Sequence, residues 1–183
     1  MQNLFVREID TSLPREAVLA ELSKLCSPAQ GKVVVPVSDS TGGVLGIAYL
    51  NYNNAADAAR VIDRMRFTMT VGGSPVRVTH AVEPRWRDHL FGPMGLRFQV
   101  LVKNLSPEVD EAALFERFSR HGEIYQVRVD QDDYGRIGGM VHYMEESSVL
   151  KALHAENGQL FSNTRIVVEP HIRSHGSGGG TAQ

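Results

Sequence analysis

The fold is decided by one stretch, Leu45-Gly46-Ile47-Ala48-Tyr49-Leu50-Asn51-Tyr52. Side chains of a β-strand alternate between two faces, so Ile47 and Tyr49 are predicted to share one face, and Ala48 and Leu50 the other. An earlier stretch, Leu4-Phe5-Val6-Arg7-Glu8-Ile9, has the same short apolar character. The two stretches are therefore candidates for neighbouring strands of one sheet.

Composition narrows the class of protein. A chain of 183 residues with 42% hydrophobic side chains can bury one large core or two small ones. Its one cysteine, Cys26, rules out an internal disulfide and a multi-cysteine metal cluster, which suits a reducing compartment. The sequence shows neither a signal-peptide pattern at Met1 nor an apolar run near the ~18 residues of a membrane span. These features predict a soluble intracellular protein without a membrane partner.

A repeat organises the chain. Leu4-Phe5-Val6 returns 96 positions later as Val100-Leu101-Val102. Each copy predicts the order β-α-β-β-α-β, so the expected fold class is α+β: two ferredoxin-like domains, each a four-stranded antiparallel sheet backed by two helices. The predicted domains are residues 1–80 and 98–171. A linker at 81–97 holds Arg85-Trp86-Arg87, and a flexible Gly-rich tail follows at 172–183.

Local patterns place the elements within each copy. In the first copy, strands are predicted at residues 4–9, 32–37, 45–52 and 75–79, with helices beginning at 14 and spanning 55–65. In the second copy, strands are predicted at 99–103, 124–129, 139–143 and 165–169, with helices beginning at 110 and passing through 149–153. Pro36 suggests that the strand at 32–37 lies at a sheet edge.

The two opening stretches resemble the hexamer and octamer signatures of an RNA recognition motif (RRM). The octamer is K/R-G-F/Y-G/A-F-V-x-F/Y. Four of its positions are matched and two differ: the matches are Gly46, Ala48, Tyr49 and Tyr52, and the departures are Leu45 and Ile47.

Nearly the whole chain resembles the first two RRMs of poly(A)-binding proteins. The residues that carry this resemblance are Ala48-Tyr49-Leu50-Asn51-Tyr52, Ala56-Asp57-Ala58, Pro75-Val76-Arg77-Val78, Lys103-Asn104-Leu105 and Val141-His142-Tyr143. The small two-RRM subunit of the splicing factor that anchors the U2 particle is similar, and Ser106-Pro107-Glu108-Val109-Asp110-Glu111 fits it. The short turn at 130–135 favours the poly(A)-binding type.

The resemblance implies that single-stranded RNA stacks on aromatic side chains of the two central strands. The second hexamer position and the third and fifth octamer positions would carry these rings. They are Phe5, Ile47 and Tyr49 in the first copy, and Leu101, Gly138 and Met140 in the second. The first copy keeps two rings and the second keeps none. RNA is therefore expected on the first sheet, whereas the second, degenerate copy is expected to contact protein.

The net charge of the two copies also differs, and this difference again favours RNA binding by the first copy. Residues 1–80 hold 8 Lys/Arg and 7 Asp/Glu, a net of +1, and residues 98–171 hold 7 and 12, a net of −5. Phosphate binding normally leaves a basic footprint. The side chains predicted to meet RNA besides the rings are Arg7, Lys32, Arg77, Trp86, Lys103 and Arg128. Trp86 has two interpretations: stacking on a base, or pinning the linker to a sheet edge.

Catalysis is not indicated. The sequence has no Cys-x-x-Cys loop, no Gly-rich phosphate loop and no nucleophile motif, and its seven histidines lack ligand-like spacing. The predicted function is non-catalytic, cofactor-free binding of single-stranded mRNA by tandem RRMs in mRNA metabolism. The alternative is an assembly subunit of a spliceosomal or other ribonucleoprotein complex that binds mainly protein. Nucleus and cytoplasm both stay open, because no run of five basic residues is present.

Overall fold

The computed structural model describes residues 2–171, so the tail predicted at 172–183 lies outside the described residues. The chain divides into two compact units, Met1–Glu83 and Pro84–Gln183. Each unit contains a four-stranded antiparallel sheet and a small two-stranded hairpin. The expected α+β class with two ferredoxin-like domains is confirmed.

The first unit contains six strands and two helices in its described part. They are β1 (Asn3–Arg7), α1 (Arg15–Ser23), β2 (Gly31–Val34), β3 (Ile47–Tyr52), α2 (Ala55–Met65), β4 (Thr70–Val71), β5 (Ser74–Pro75) and β6 (Arg77–His80). The main sheet has the order β2-β3-β1-β6, and β4 pairs with β5. The strands β1 and β3 are therefore the central pair.

Side-chain alternation creates one covered face and one open face. Leu4 and Val6 of β1, and Ala48 and Leu50 of β3, are fully buried. They form one core with apolar residues of α1 and α2. The side chain of Asn54 accepts a hydrogen bond from the backbone N–H of Asp57 at 2.9 Å and so begins α2. Both helices consequently cover the same side of the sheet.

The second unit begins with a helix that precedes its sheet. Its helices are α3 (Pro84–Phe91), α4 (Glu111–Phe118) and α5 (Glu146–Glu156), with 3-10 turns at Gly95–Phe98 and Ser119–His121. Its strands are β7 (Gln99–Lys103), β8 (Ile124–Gln131), β9 (Ile137–Tyr143), β10 (Leu160–Phe161), β11 (Thr164–Arg165) and β12 (Val167–Pro170). The main sheet has the order β12-β7-β9-β8.

The second core uses the same alternation. Val100, Val102, Val141 and Tyr143 are almost completely buried against α4 and α5. A Cβ at Gly139 would lie 2.6 Å from Cδ2 of Leu114, so the glycine lets α4 approach the sheet.

A buried carboxylate ties two helices of this unit together. Glu156 of α5 accepts hydrogen bonds from Nε of Arg117 at 2.7 Å and pairs with Nε2 of His121 at 2.7 Å. Arg117 belongs to α4, and His121 to the turn that follows it. The carboxylate therefore links the end of α5 to the end of α4.

The four main-sheet strands of the first unit are all shorter than predicted: those predicted at 4–9 and 75–79 are Asn3–Arg7 and Arg77–His80. The strand at 32–37 ends at Val34, because Pro36 has no N–H for the ladder. The strand at 45–52 begins at Ile47, since Gly46 has φ +74°, a left-handed conformation that breaks the extended run. By contrast, the predicted bounds of α2 at 55–65 and of β7 at 99–103 match the structure.

The segment expected as a linker at 81–97 is the largest difference. It contains helix α3, which belongs to the second unit. Within and beside it, Leu90 is 1% and Phe98 4% exposed. The segment is therefore structured and packed, because these two apolar side chains are removed from water.

Candidate nucleic-acid interface

The open face of the first sheet carries two aromatic rings side by side. Phe5 and Tyr49 are register partners across β1 and β3. Their ring centroids lie 5.2 Å apart with the planes tilted by 32°. Both side chains are partly exposed, whereas Leu4 and Leu50 next to them in the chain are fully buried. The rings therefore form one aromatic surface on the side of the sheet away from the helices.

One end of this surface is basic. Arg7 of β1 pairs in register with Ile47 on one side and with Arg77 on the other, so the three side chains lie in the next row of the same face. Nε of Arg77 donates a hydrogen bond to Oε2 of Glu8 at 3.2 Å. The carboxylate of Glu8 is about half exposed, so it offsets part of the positive charge there.

The other end of the surface is polar. Asn3, Asn51 and Lys32 follow one another across β1, β3 and β2. Lys32 is exposed, as is Asn3. Sequence reasoning selected Lys32 but missed both asparagines, although each lies two positions from a selected ring. Their amide groups can donate and accept hydrogen bonds and so can contact base edges.

This arrangement suits single-stranded nucleic acid. Exposed rings accept nucleobases by stacking, worth about 1–3 kcal/mol per base, and neighbouring cations attract phosphates. Among the predicted residues, the structure brings together Phe5, Ile47, Tyr49, Arg7 and Arg77 in two adjacent rows, with Lys32 in the third. The site on the first sheet is thus assembled from all four strands of that sheet.

The open face of the second sheet forms a groove without a ring on its floor. Leu101, Met140 and Arg128 are neighbours in register across β7, β9 and β8. Gly138 lies two residues from Met140 on the same face. The groove has a volume of about 830 Å³, and its lining includes Leu101, Gly138 and Met140 together with the β8–β9 turn. The structure thus places these three predicted residues in one apolar depression.

The cations at the rim of this groove have acidic partners. Nζ of Lys103 lies 2.5 Å from Oε2 of Glu169, and Nε of Arg136 donates to Oδ2 of Asp132 at 2.7 Å. The backbone N–H of Arg136 also bonds to Asp132 and is the main cause that lowers the pKa of this carboxyl group. Arg136 was missed from the sequence, although it occupies the first, basic position of the second octamer. These pairs leave the rim with little net positive charge.

Helix α3 covers one end of the second sheet's open face. The ring of Phe91 packs edge-on against Tyr125, with centroids 5.1 Å apart, and against His142 at 5.7 Å. Tyr125 and His142 are consequently only 6% and 2% exposed. The ring that reaches the sheet from the predicted linker is therefore Phe91, since this contact follows from the helical structure of the segment.

Trp86 lies on α3. It is 46% exposed, contacts the ring of His89 at 5.8 Å, and has the guanidinium of Arg85 5.8 Å from its ring centroid. Its stacking on a base stays a prediction. Its pinning of the segment to a sheet edge stays a prediction too, although Leu90 and Phe98 are buried and hold the segment in the second unit.

Within residues 2–171, no three histidine, cysteine or acidic side chains come together as ligands for a metal ion. Over the same residues, no helix has the length and apolar character needed to cross a membrane.

Comparison with known proteins identifies one of the two units by family. Residues 100–167 match the family model described as the RNA recognition motif. The match lies in the second unit, the one without rings at the stacking positions.

Solved structures resemble the chain more broadly. The RNA-binding domain of Hrp1, solved in complex with RNA, is 15% identical, covers 95% of this chain and 98% of its own, and has a TM-score of 0.59. A Sxl-lethal protein/RNA complex is 19% identical over 92% of this chain and 98% of its own, with a TM-score of 0.51. The RRM3 domain of Mip6 is 30% identical over 43% of this chain and 99% of its own, with a TM-score of 0.40. At these identities, the first two likenesses show the fold.

The βαββαβ order, the strand order of the sheet and the family match agree over the same residues. The chain therefore contains an RNA recognition motif domain, located at residues 100–167.

Proposed function

We propose that this protein is a non-catalytic, single-stranded RNA-binding protein with tandem RRMs that acts in mRNA metabolism. In this proposal RNA lies on the first sheet, with bases stacked on Phe5 and Tyr49. The single observation that carries the proposal is the pair of partly exposed rings, 5.2 Å apart, on a face that no helix of the first unit covers. Arg7 and Arg77 beside the rings, and Lys32 beyond them, supply attraction for phosphates.

Two solved structures support the choice of ligand. The RNA-binding domain of Hrp1 and the Sxl-lethal protein, which share this fold, are each described in complex with RNA. Among RRM proteins, we place this chain nearer to the poly(A)-binding type. Its site of action is then wherever mRNA is present, in the nucleus, the cytoplasm or both.

The second sheet is assigned to protein contact. Its groove floor, Leu101, Gly138 and Met140, offers apolar surface but no ring for a base. The cations at its rim, Lys103 and Arg136, are engaged by carboxylates. This face lacks both stacking and a net positive charge, so RNA gains little there, whereas an apolar groove suits a protein partner.

The groove also favours a second candidate function. If protein contact dominates, the chain is an assembly subunit of a ribonucleoprotein complex, spliceosomal or other, and RNA contact is incidental. The specific observation is the size of the groove, about 830 Å³, against the small ring surface of the first sheet.

Binding of RNA by the isolated chain separates the two functions. We would measure fluorescence anisotropy of a labelled random single-stranded RNA pool at low salt, with a duplex of the same length as the control. Tandem-RRM binding predicts affinity for the single strand that falls as salt is raised. No binding at low salt would favour the assembly function, and partners would then be sought by purification before and after nuclease treatment.

A further inference from the structure

A second groove lies on the helix side of the first unit, opposite the rings. It has a volume of about 340 Å³ and lies between the chain that follows α1 and the outer face of α2. We refer to it as the helix groove. Its apolar floor includes Leu25, Val61 and Met65, which are partly buried and pack against the core of this unit. The hydroxyl of Tyr52 donates to the carbonyl of Leu25 at 2.7 Å and so holds one wall in place.

The rim of the helix groove is cationic. Lys24, Arg60 and Arg64 line it and are exposed. The one carboxylate among the lining residues, Asp57, is buried and already engaged. It pairs with the guanidinium of Arg60 and accepts from Nδ2 of Asn54 at 2.6 Å. Lys24 and Arg64 therefore add two positive charges that Asp57 does not offset.

Two cations of the rim lie close together on one helix. Arg60 and Arg64 are four residues apart on α2, and like charges at this spacing repel one another. An anionic ligand in the helix groove would relieve this repulsion and would pair with Lys24 at the same time. Charge complementarity of this kind sets which partner is accepted.

The floor of the helix groove favours one of two anionic ligands, an acidic peptide, over the other, RNA. Tyr52, the aromatic residue among those that line the groove, is 4% exposed, so a nucleobase finds no open ring there. RNA would gain only phosphate attraction. A peptide with carboxylates on either side of an apolar side chain matches both the cationic rim and the apolar floor.

We propose that the helix groove binds a short acidic peptide segment of a partner protein, with an apolar side chain held between its carboxylates. This site goes beyond the RNA-binding function. Because it lies on the opposite side of the sheet from Phe5 and Tyr49, one unit can hold RNA and a protein partner together.

The test uses the full chain without RNA, so its outcome is independent of RNA binding. The probe is a short fluorescein-labelled peptide of alternating glutamate and leucine, and the control peptide has glutamine in place of glutamate. We expect saturable anisotropy with the acidic peptide and at least several-fold weaker binding of the control. Amide shifts of ¹⁵N-labelled protein should concentrate around Lys24, Val61 and Arg64.

Variants complete the test. Combining Lys24→Glu with Arg64→Glu should weaken peptide binding by about tenfold. The control, Lys32→Glu, reverses one positive charge on the opposite face of the unit and should leave peptide affinity within about twofold. If the double reversal unfolds the unit, the milder pair Lys24→Gln and Arg64→Gln should still weaken binding several-fold.

Four results would overturn the proposal. They are an absence of binding by the acidic peptide, equal binding of the glutamine peptide, loss of affinity in Lys32→Glu as large as in the rim variants, and amide shifts on the sheet around Phe5. Shifts of the groove amides by single-stranded RNA, without a response to the peptide, would assign the groove to phosphate instead.

Discussion

Replacing both rings of the first sheet by leucine tests the proposed RNA site directly. In Phe5→Leu combined with Tyr49→Leu, apolar volume on the face is retained but the stacking surface is lost. Each stacked base is worth about 1–3 kcal/mol. The rings are only partly exposed and touch each other at 5.2 Å, so their losses share a surface and will not simply add.

Taking the lower half of that range for each ring, we expect the free energy of RNA binding to weaken by about 2–3 kcal/mol in total. This corresponds to roughly a 30- to 150-fold rise in Kd. The assay is fluorescence anisotropy with the single-stranded RNA pool at low salt. Phe5→Tyr and Tyr49→Phe keep both rings and are the matched controls, expected to stay within about threefold of the natural chain.

A rise in Kd of less than about threefold for the leucine variant would refute base stacking as the basis of RNA binding on this sheet. An equal loss in the controls would show that the variants act through the fold. Thermal unfolding of each variant would distinguish that case, because Leu4 and Leu50, not the rings, fill the core.

Three further predictions follow from the site and the fold. Lys32→Gln should reduce the slope of log Kd against log salt by about 0.7 in anisotropy titrations if Lys32 neutralises one phosphate, and an unchanged slope would contradict this placement. Glu156→Gln removes the negative charge that accepts two hydrogen bonds of 2.7 Å, so it should lower the free energy of unfolding, measured in urea, by about 1–3 kcal/mol. The control is Glu116→Gln at an exposed position, which should change this free energy by less than about 0.5 kcal/mol. Burial is the main cause that lowers the pKa of His80 below its ordinary 6.5. The unfolded chain therefore binds more protons at this histidine than the folded chain does, and the free energy of unfolding should fall as pH drops below about 6.5. Urea midpoints of His80→Gln should show a shallower fall over that range than those of the natural chain, and identical falls would exclude His80 as the cause.

The family match and the proposed RNA surface lie in different units, and the difference has a physical reason. The matched segment contains the core positions Val100, Val102, Val141 and Tyr143, which bury the sheet against its helices. Stacking positions point to the other face and contribute little to folding. A unit can therefore keep the RRM fold while Leu101 and Met140 replace the rings.

The local sequence pattern was enough to predict which face of the sheet each strand side chain occupies. The alternation of Phe5 with Leu4 and of Tyr49 with Leu50 predicted which rings are open, because a strand has a period of two wherever it lies. The repeat predicted both sheets, and the spacing of α2 predicted its bounds. Local pattern also indicated Asn3, Asn51 and Arg136, which follow from the same period or from the octamer, although they were not selected.

Contacts between segments that lie far apart in the chain could not be predicted from the local sequence pattern. Lys103 is offset by Glu169, which is far away in the chain and comes close only because β12 pairs with β7. The segment at 81–97 has linker-like composition, yet Leu90 and Phe98 anchor it as part of the second unit. Phe91 meets His142 through that anchoring.

The amino-acid sequence by itself determined the two βαββαβ units, their cores and the face on which each ring lies, since these follow from side-chain period and burial. Only the tertiary structure decided which cations remain available, which end of the second sheet is covered, and where grooves open. Those properties depend on which strands and helices become neighbours, and neighbours in space are set by packing of the whole unit.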